Sequence, residues 1–175
     1  MDLRIRPLFV DGRTKEFTTG TAHDVTDRVF VVQRAYRLND LLPEEVGPNR
    51  WRWERGGWLL VDRISGRVQP VLLPAFDAYY SEVSWFRDYA AYCGVSDDRE
   101  KVFTVVAQLG KRRPLLKKAA GETGGDLQGK LCHAPAWLRA PARVTFEAAG
   151  EQKFTFTVRS NEVDIVIEDG EEGGE

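Results

Sequence analysis

Two cysteines and two histidines are all that this chain of 175 residues offers to thiol or metal chemistry. Cys93 and Cys132 are too few for a disulfide-dense scaffold or a four-cysteine zinc site. A dominant charge is also missing: 25 Lys and Arg stand against 27 Asp and Glu, a net charge of −2. That balance argues against a generally basic nucleic-acid binder, so nucleic acid is not an expected partner. No stretch approaches about 20 uninterrupted apolar residues, so no helix is expected to span a bilayer and no membrane partner is expected. Met1 to Pro7 lacks the apolar core of a secretory signal, which gives a cytoplasmic expectation. A chain already trimmed of its signal would read the same way, so a periplasmic or secreted placement is the alternative. There is no P-loop, no G-x-G-x-x-G, no H-E-x-x-H and no G-x-S-x-G, which weakens an enzymatic reading. No cofactor and no metal are expected.

What the chain does have is alternation. At 19.8 kDa a folded chain buries about 70% of the surface its unfolded form exposes, enough for a sizeable core. Leu3 to Val10 reads as a strand before an Asp11-Gly12 turn. Val29-Phe30-Val31-Val32 is a dense apolar run and reads as a buried strand. Arg50-Trp51-Arg52-Trp53-Glu54 alternates strictly, as a half-buried strand should. Gly56-Gly57 predicts a two-residue hairpin turn, since glycine permits positive φ. That turn would set Trp53 opposite Leu60 and put Trp51, Trp53, Trp58 and Leu60 on one face. A third strand over Arg67 to Leu73 completes a three-stranded meander, and Pro70 places it at an edge or a bulge.

Further along, Tyr89 to Leu109 reads as a hairpin through Ser96-Asp97-Asp98. The alternative is a helix near residues 75–93, because Phe76, Tyr79, Tyr80, Val83, Phe86, Ala90 and Cys93 fit helical spacing. Against it, Tyr, Phe, Trp and Val prefer strands. Gly121 to Gly129 reads as a glycine-rich loop. Arg143 to Val158 reads as a second hairpin, and Val163, Ile165 and Ile167 as a last strand. The expected fold is all-β, with mostly antiparallel meanders and hairpins closing into a sandwich or barrel. The alternative is α+β with the one helix. A single β-rich domain over residues 1–167 is expected, followed by an acidic disordered tail over 168–175.

Trp58-Leu59-Leu60-Val61-Asp62-Arg63-Ile64-Ser65-Gly66-Arg67-Val68 resembles the hairpin of a β-propeller blade, in which an Asp precedes a Ser-Gly turn. The Asp carboxylate can accept backbone N–H groups across the turn while Gly takes the left-handed position. Trp85 to Tyr92, followed by Ser96-Asp97-Asp98, is similar to a next blade's opening strands, so the resemblance spans residues 58–109. The pattern departs there, because no Gly follows Asp88. The stretch from Trp85 through Cys93 to Gln108-Leu109-Gly110 also resembles an uncharacterised family of bacterial proteins, which brings no activity with it.

Five groups of residues are candidates for chemistry. Trp51 and Trp53, with Arg52 and Arg55, form an aromatic, basic ribbon suited to a sugar or peptide ligand or to a homodimer contact. Cys93 and Cys132 are the one intrachain disulfide pair available, closing a loop of roughly 40 residues. A small hydrolase using Cys93 and His133, or an acid pair such as Asp97 and Asp98, is the enzymatic alternative. Cys93, Cys132, His133 and His23 lack the paired short spacing of a zinc site. Lys111 to Lys118 reads as a basic edge or loop that discourages sheet aggregation rather than as a phosphate grip. The sequence thus favours a non-enzymatic binding or interaction module of unknown ligand.

Overall fold

The computed structural model describes residues 14–42, 44–123, 132–147, 153–159 and 162–166. The early strand read at Leu3 to Val10, its turn, Ile167 and the acidic tail lie outside them. The fold is all-β: three four-stranded antiparallel sheets, with no helix among the described residues. Within the stretch read as one domain the strands gather in two compact units, Met1–Leu72 and Leu73–Glu175.

The first unit is a meander of β1 (Thr14–Asp24), β2 (Val29–Asn39), β3 (Trp51–Asp62) and β4 (Val68–Val71), paired in that order. Gly56-Gly57 is not a turn. Trp51 to Asp62 runs as one strand, Trp53 lies opposite Arg37, and Leu60 lies opposite Val31. Neither glycine has a positive φ, which among the described glycines occurs at Gly66 and Gly110. Between the pairs Arg55–Ala35 and Trp58–Gln33, β3 spends two residues where β2 spends Arg34 alone. That is a β-bulge. Glycine is required by a close approach: a Cβ on Gly56 would sit 2.4 Å from Cε2 of Tyr36 and 3.0 Å from Cβ of Arg34.

The β3–β4 turn follows its sequence signature. Oδ1 of Asp62 accepts the N–H groups of Ile64 (2.9 Å) and Ser65 (3.0 Å), and Gly66 takes φ +68°. β4 is the terminal strand of its sheet and carries Pro70, which has no N–H to donate.

The second unit packs two sheets face to face. One is β5 (Ser84–Phe86), β6 (Tyr89–Val95), β7 (Lys101–Gln108) and β8 (Leu116–Glu122). The other is β9 (Ala136–Arg139), β10 (Ala142–Glu147), β11 (Lys153–Arg159) and β12 (Glu162–Val166). Both expected hairpins, Tyr89 to Leu109 and Arg143 to Val158, are present as β6–β7 and β10–β11. Between β5 and β6 a two-residue turn forms without glycine, Arg87 taking φ +54°.

Alternation explains the core. Ala91, Cys93 and Val95 meet Val144, Phe146, Phe156 and Val158 across the two sheets. Ala90 and Tyr92 point the other way, where Leu73, Phe76, Val83 and Trp85 cover them. β6 is therefore buried on both faces. The helical spacing of Phe76 to Cys93 is a coincidence of this arrangement: residues 73–83 are an irregular strap laid over the outer face. Three hydrogen bonds fasten it, from Tyr92 Oη to the Pro74 carbonyl (2.7 Å), from Ser81 Oγ to the Cys93 carbonyl (2.7 Å) and from the Val95 N–H to the Ala75 carbonyl (2.8 Å). Burial pushes the Tyr92 phenol far above its ordinary value, so it stays a neutral donor. On the inner side, Trp137 Nε1 donates to the Ser84 carbonyl at 3.1 Å, tying β9 to β5. Cys93 and Cys132 are joined in a disulfide.

Two stability predictions follow from these contacts. A Cβ on Gly94 would stand 2.6 Å from the Ala75 carbonyl oxygen, and backbone cannot swing aside as a side-chain tip can. Gly94→Ala should cost about 1–3 kcal/mol in denaturant unfolding; an unchanged midpoint would show that the strap is loosely held. The disulfide spans 39 residues, for which chain entropy gives about 4 kcal/mol. The denatured, unreduced protein should show no titratable thiol, and reduction should lower unfolding free energy by about that amount. Two reactive thiols before reduction would contradict the bond.

Candidate functional site

In a strand, residues two apart share a face. Trp51, Trp53 and Arg55 therefore share one face of the first sheet, and the extra residue at Gly56–Gly57 brings Trp58, Leu60 and Asp62 onto the same face. The common face expected for the tryptophans is present, produced by a bulge within one strand rather than by a hairpin. Trp53 is 59% exposed and Trp58 is 8% exposed. Trp51 is half-buried.

Cross-strand neighbours complete the ribbon. Arg37 sits opposite Trp53, and Lys15 and Phe17 of β1 sit opposite Arg37 and Ala35. The Arg37 guanidinium lies 5.2 Å from the centre of the Trp51 ring and 5.9 Å from that of Trp53. The Lys15 ammonium lies 4.9 Å from the Trp51 ring, and Phe17 meets Trp53 edge-on at 5.1 Å. The result is a ladder of Lys15, Trp51, Arg37, Trp53 and Phe17. Cations over indole faces are attracted by the ring quadrupole. Lys15 and Arg37 have no carboxylate partner among the described residues, and the covered Nε of Arg37 has no acceptor there.

The opposite face is neutralised. Arg34 pairs with Glu16, while Arg52 pairs with Asp40 at 2.8 Å and with Glu54 at 2.8 Å. Arg52 therefore does not join the tryptophans it separates in sequence; alternation sends it to the far side. Arg55 stays on the tryptophan face and is exposed. Arg37, Lys15 and Phe17 were not singled out by sequence, because their contacts depend on strand register. The one available signal was Lys15 and Phe17 at period two.

Farther along the same face, a cavity of about 360 Å³ opens between Val29, Leu60, Asp62, Ser65, Arg67 and Gln69. Its carboxylate is occupied. Arg28 Nε donates to Asp62 Oδ2 at 2.7 Å, and this bond, with the Ser65 N–H, holds the Asp62 carboxyl well below the usual carboxylate range. A carboxylate fixed in its ionised form serves the turn, and does not act as a general acid near neutrality.

The remaining candidates are dispersed. Cys93 is 1% exposed and bonded to Cys132, so it carries no thiolate for the exposed His133 to activate, and neither sulfur is a zinc ligand. No cluster of three or more His, Cys, Asp and Glu suited to a metal occurs among the described residues. Asp98 accepts from Ser96 Oγ and from the Glu100 N–H (3.0 Å), and the Ser96 bond foremost lowers its carboxyl; it caps a solvated hairpin turn. In the basic run, Lys117 lies 4.2 Å from the Phe103 ring and Lys118 lies 5.1 Å from the Phe154 ring. β8 ends its sheet, where lysines discourage edge-to-edge pairing. No protein-family model matches the chain, and no curated protein or solved structure is similar to it.

Proposed function

We propose that this chain is a non-enzymatic binding module whose ligand lies on the Trp51–Trp53 face of the first sheet. The exposure of Trp53 at 59%, beside Lys15 and Arg37, which have no carboxylate partner among the described residues, carries the reading. Large aromatic surface left in water usually marks a place that a partner covers, and indole gives much contact area with few rotors to freeze. A sugar or a peptide suits such a face, and a second copy of the chain is the competing occupant. The Cys93/His133 hydrolase has less support, because its sulfur is already bonded. The same disulfide favours a periplasmic or secreted placement over the cytoplasmic one, since such bonds persist in oxidising compartments.

Thermal melting against a panel of neutral and anionic oligosaccharides and short peptides tests the module. At least one compound should raise the melting temperature, and Trp53→Ala should cancel that rise. The unliganded variant should stay within about 0.5 kcal/mol of the parent, as an exposed substitution does. Shifts indifferent to Trp53→Ala, or turnover of generic ester, peptide or glycoside substrates, would contradict the proposal.

A further inference from the structure

We infer that the ligand of this face is an extended acidic segment of another polypeptide, added as a strand to the open half of β3. The inference rests on the binding-face reading above. It starts from where β4 stops. β4 pairs with Trp58 to Val61 only, so Trp51 to Gly57 have no neighbour on that side among the described strands. The bulge bends the strand there, and the departing chain reaches Pro74 three residues after Val71.

The parity of the backbone bonds decides which groups are open. The Asp40 N–H donates to the Arg50 carbonyl at 2.8 Å and the Arg50 N–H donates to Asn39 Oδ1 at 2.9 Å, so Arg50 turns its backbone groups toward the end of β2. Pairs alternate along an antiparallel ladder. The next bonded pairs are Leu38–Arg52 and Tyr36–Glu54, while Trp51 and Trp53 turn their N–H and C=O groups away from β2. At the other end the Asp62 N–H reaches the Arg67 carbonyl at 2.9 Å, so after the bulge the even-numbered residues face β4. Trp51 and Trp53 thus continue, on one edge, the row that β4 occupies farther along. Unpaired edge groups of this kind are a template for strand addition.

Charge selects the partner. A residue bonded to Trp51 or Trp53 would put its own side chain on the tryptophan face. That face carries Lys15 and Arg37, which have no carboxylate partner among the described residues, whereas the opposite face already pairs Arg34 with Glu16 and Arg52 with Asp40 and Glu54. The Arg37 guanidinium lies over the Trp51 and Trp53 rings of β3. Acids are therefore called for at alternate positions of the incoming segment, on the same residues that hydrogen-bond to β3.

Calorimetric titration with acetyl-(Glu-Val)4-amide tests this. The peptide should bind, the (Lys-Val)4 counterpart should not, and affinity should fall with added salt. N-methylation of the glutamate nitrogens should abolish binding, while N-methylation of the valine nitrogens should leave it within about twofold, since only the former point at β3. Arg37→Gln should weaken binding by about tenfold, the loss of one charge-assisted contact. Equal effects of the two methylations, or no binding of the peptide, would overturn strand addition. Tetragalacturonate bound in its place, and lost with Trp53→Ala, would overturn the acidic strand while leaving the binding face intact. Self-association abolished by Trp53→Ala would assign the edge to a second copy and also overturn the inference. If no probe responds to Trp53→Ala, the binding face falls as well.

Discussion

The extra residue that β3 carries at Gly56–Gly57 governs the first unit. It lets Trp51 and Trp53 share a face with Trp58 and Leu60, although the two pairs differ in parity along the chain. It also gives the Tyr36 ring a seat that any Cβ at position 56 would fill. The kink marks the point beyond which β4 no longer follows its neighbour. A bulge commonly re-aims side chains and ends pairing at an edge, and here both effects fall on the same stretch.

The two units solve burial differently. In the second, β6 is covered on one side by the β10–β11 pair and on the other by the strap of residues 73–83. The first buries Phe30, Val32 and Leu59 on one face; on the other, Val31 and Trp58 are buried and Trp53 stays largely in water. Its charges also divide between the faces. Arginines on one face are matched by carboxylates, and the cations beside the tryptophans lie over aromatic rings. An exposed ion pair contributes little to stability, so the sorting bears more on what can approach each face than on how firmly the sheet is held.

Much of the fold was legible because strands write themselves in period two. Val144, Phe146, Phe156 and Val158 announce their hairpin, and Asp62 with Ser65-Gly66 announces its turn before any contact is known. Gly56-Gly57 misled for a physical reason: two glycines permit a hairpin turn and equally permit a ring to press on the backbone, and only the position of Tyr36 distinguishes the two. The segment from Phe76 to Val83 misled because a strap and a helix can place apolar residues at similar spacing. At the site, Trp51 and Trp53 could be found from composition. Arg37 and Lys15 could not, since their place beside the rings comes from the register of three strands. Arg52 was grouped with the tryptophans through adjacency in the chain, which in a strand means opposite faces.

The central claim is that β3 is an incomplete strand whose open edge lies beneath an exposed aromatic face. Residue-resolved amide hydrogen exchange of the free protein measures this directly. The amides of Arg52 and Glu54, bonded to β2, should be protected to near the stability of the first sheet. Those of Trp51 and Trp53, which alternate with them in sequence, should exchange with little protection. Equal protection at all four positions would mean that the edge is already filled, and the account would be wrong.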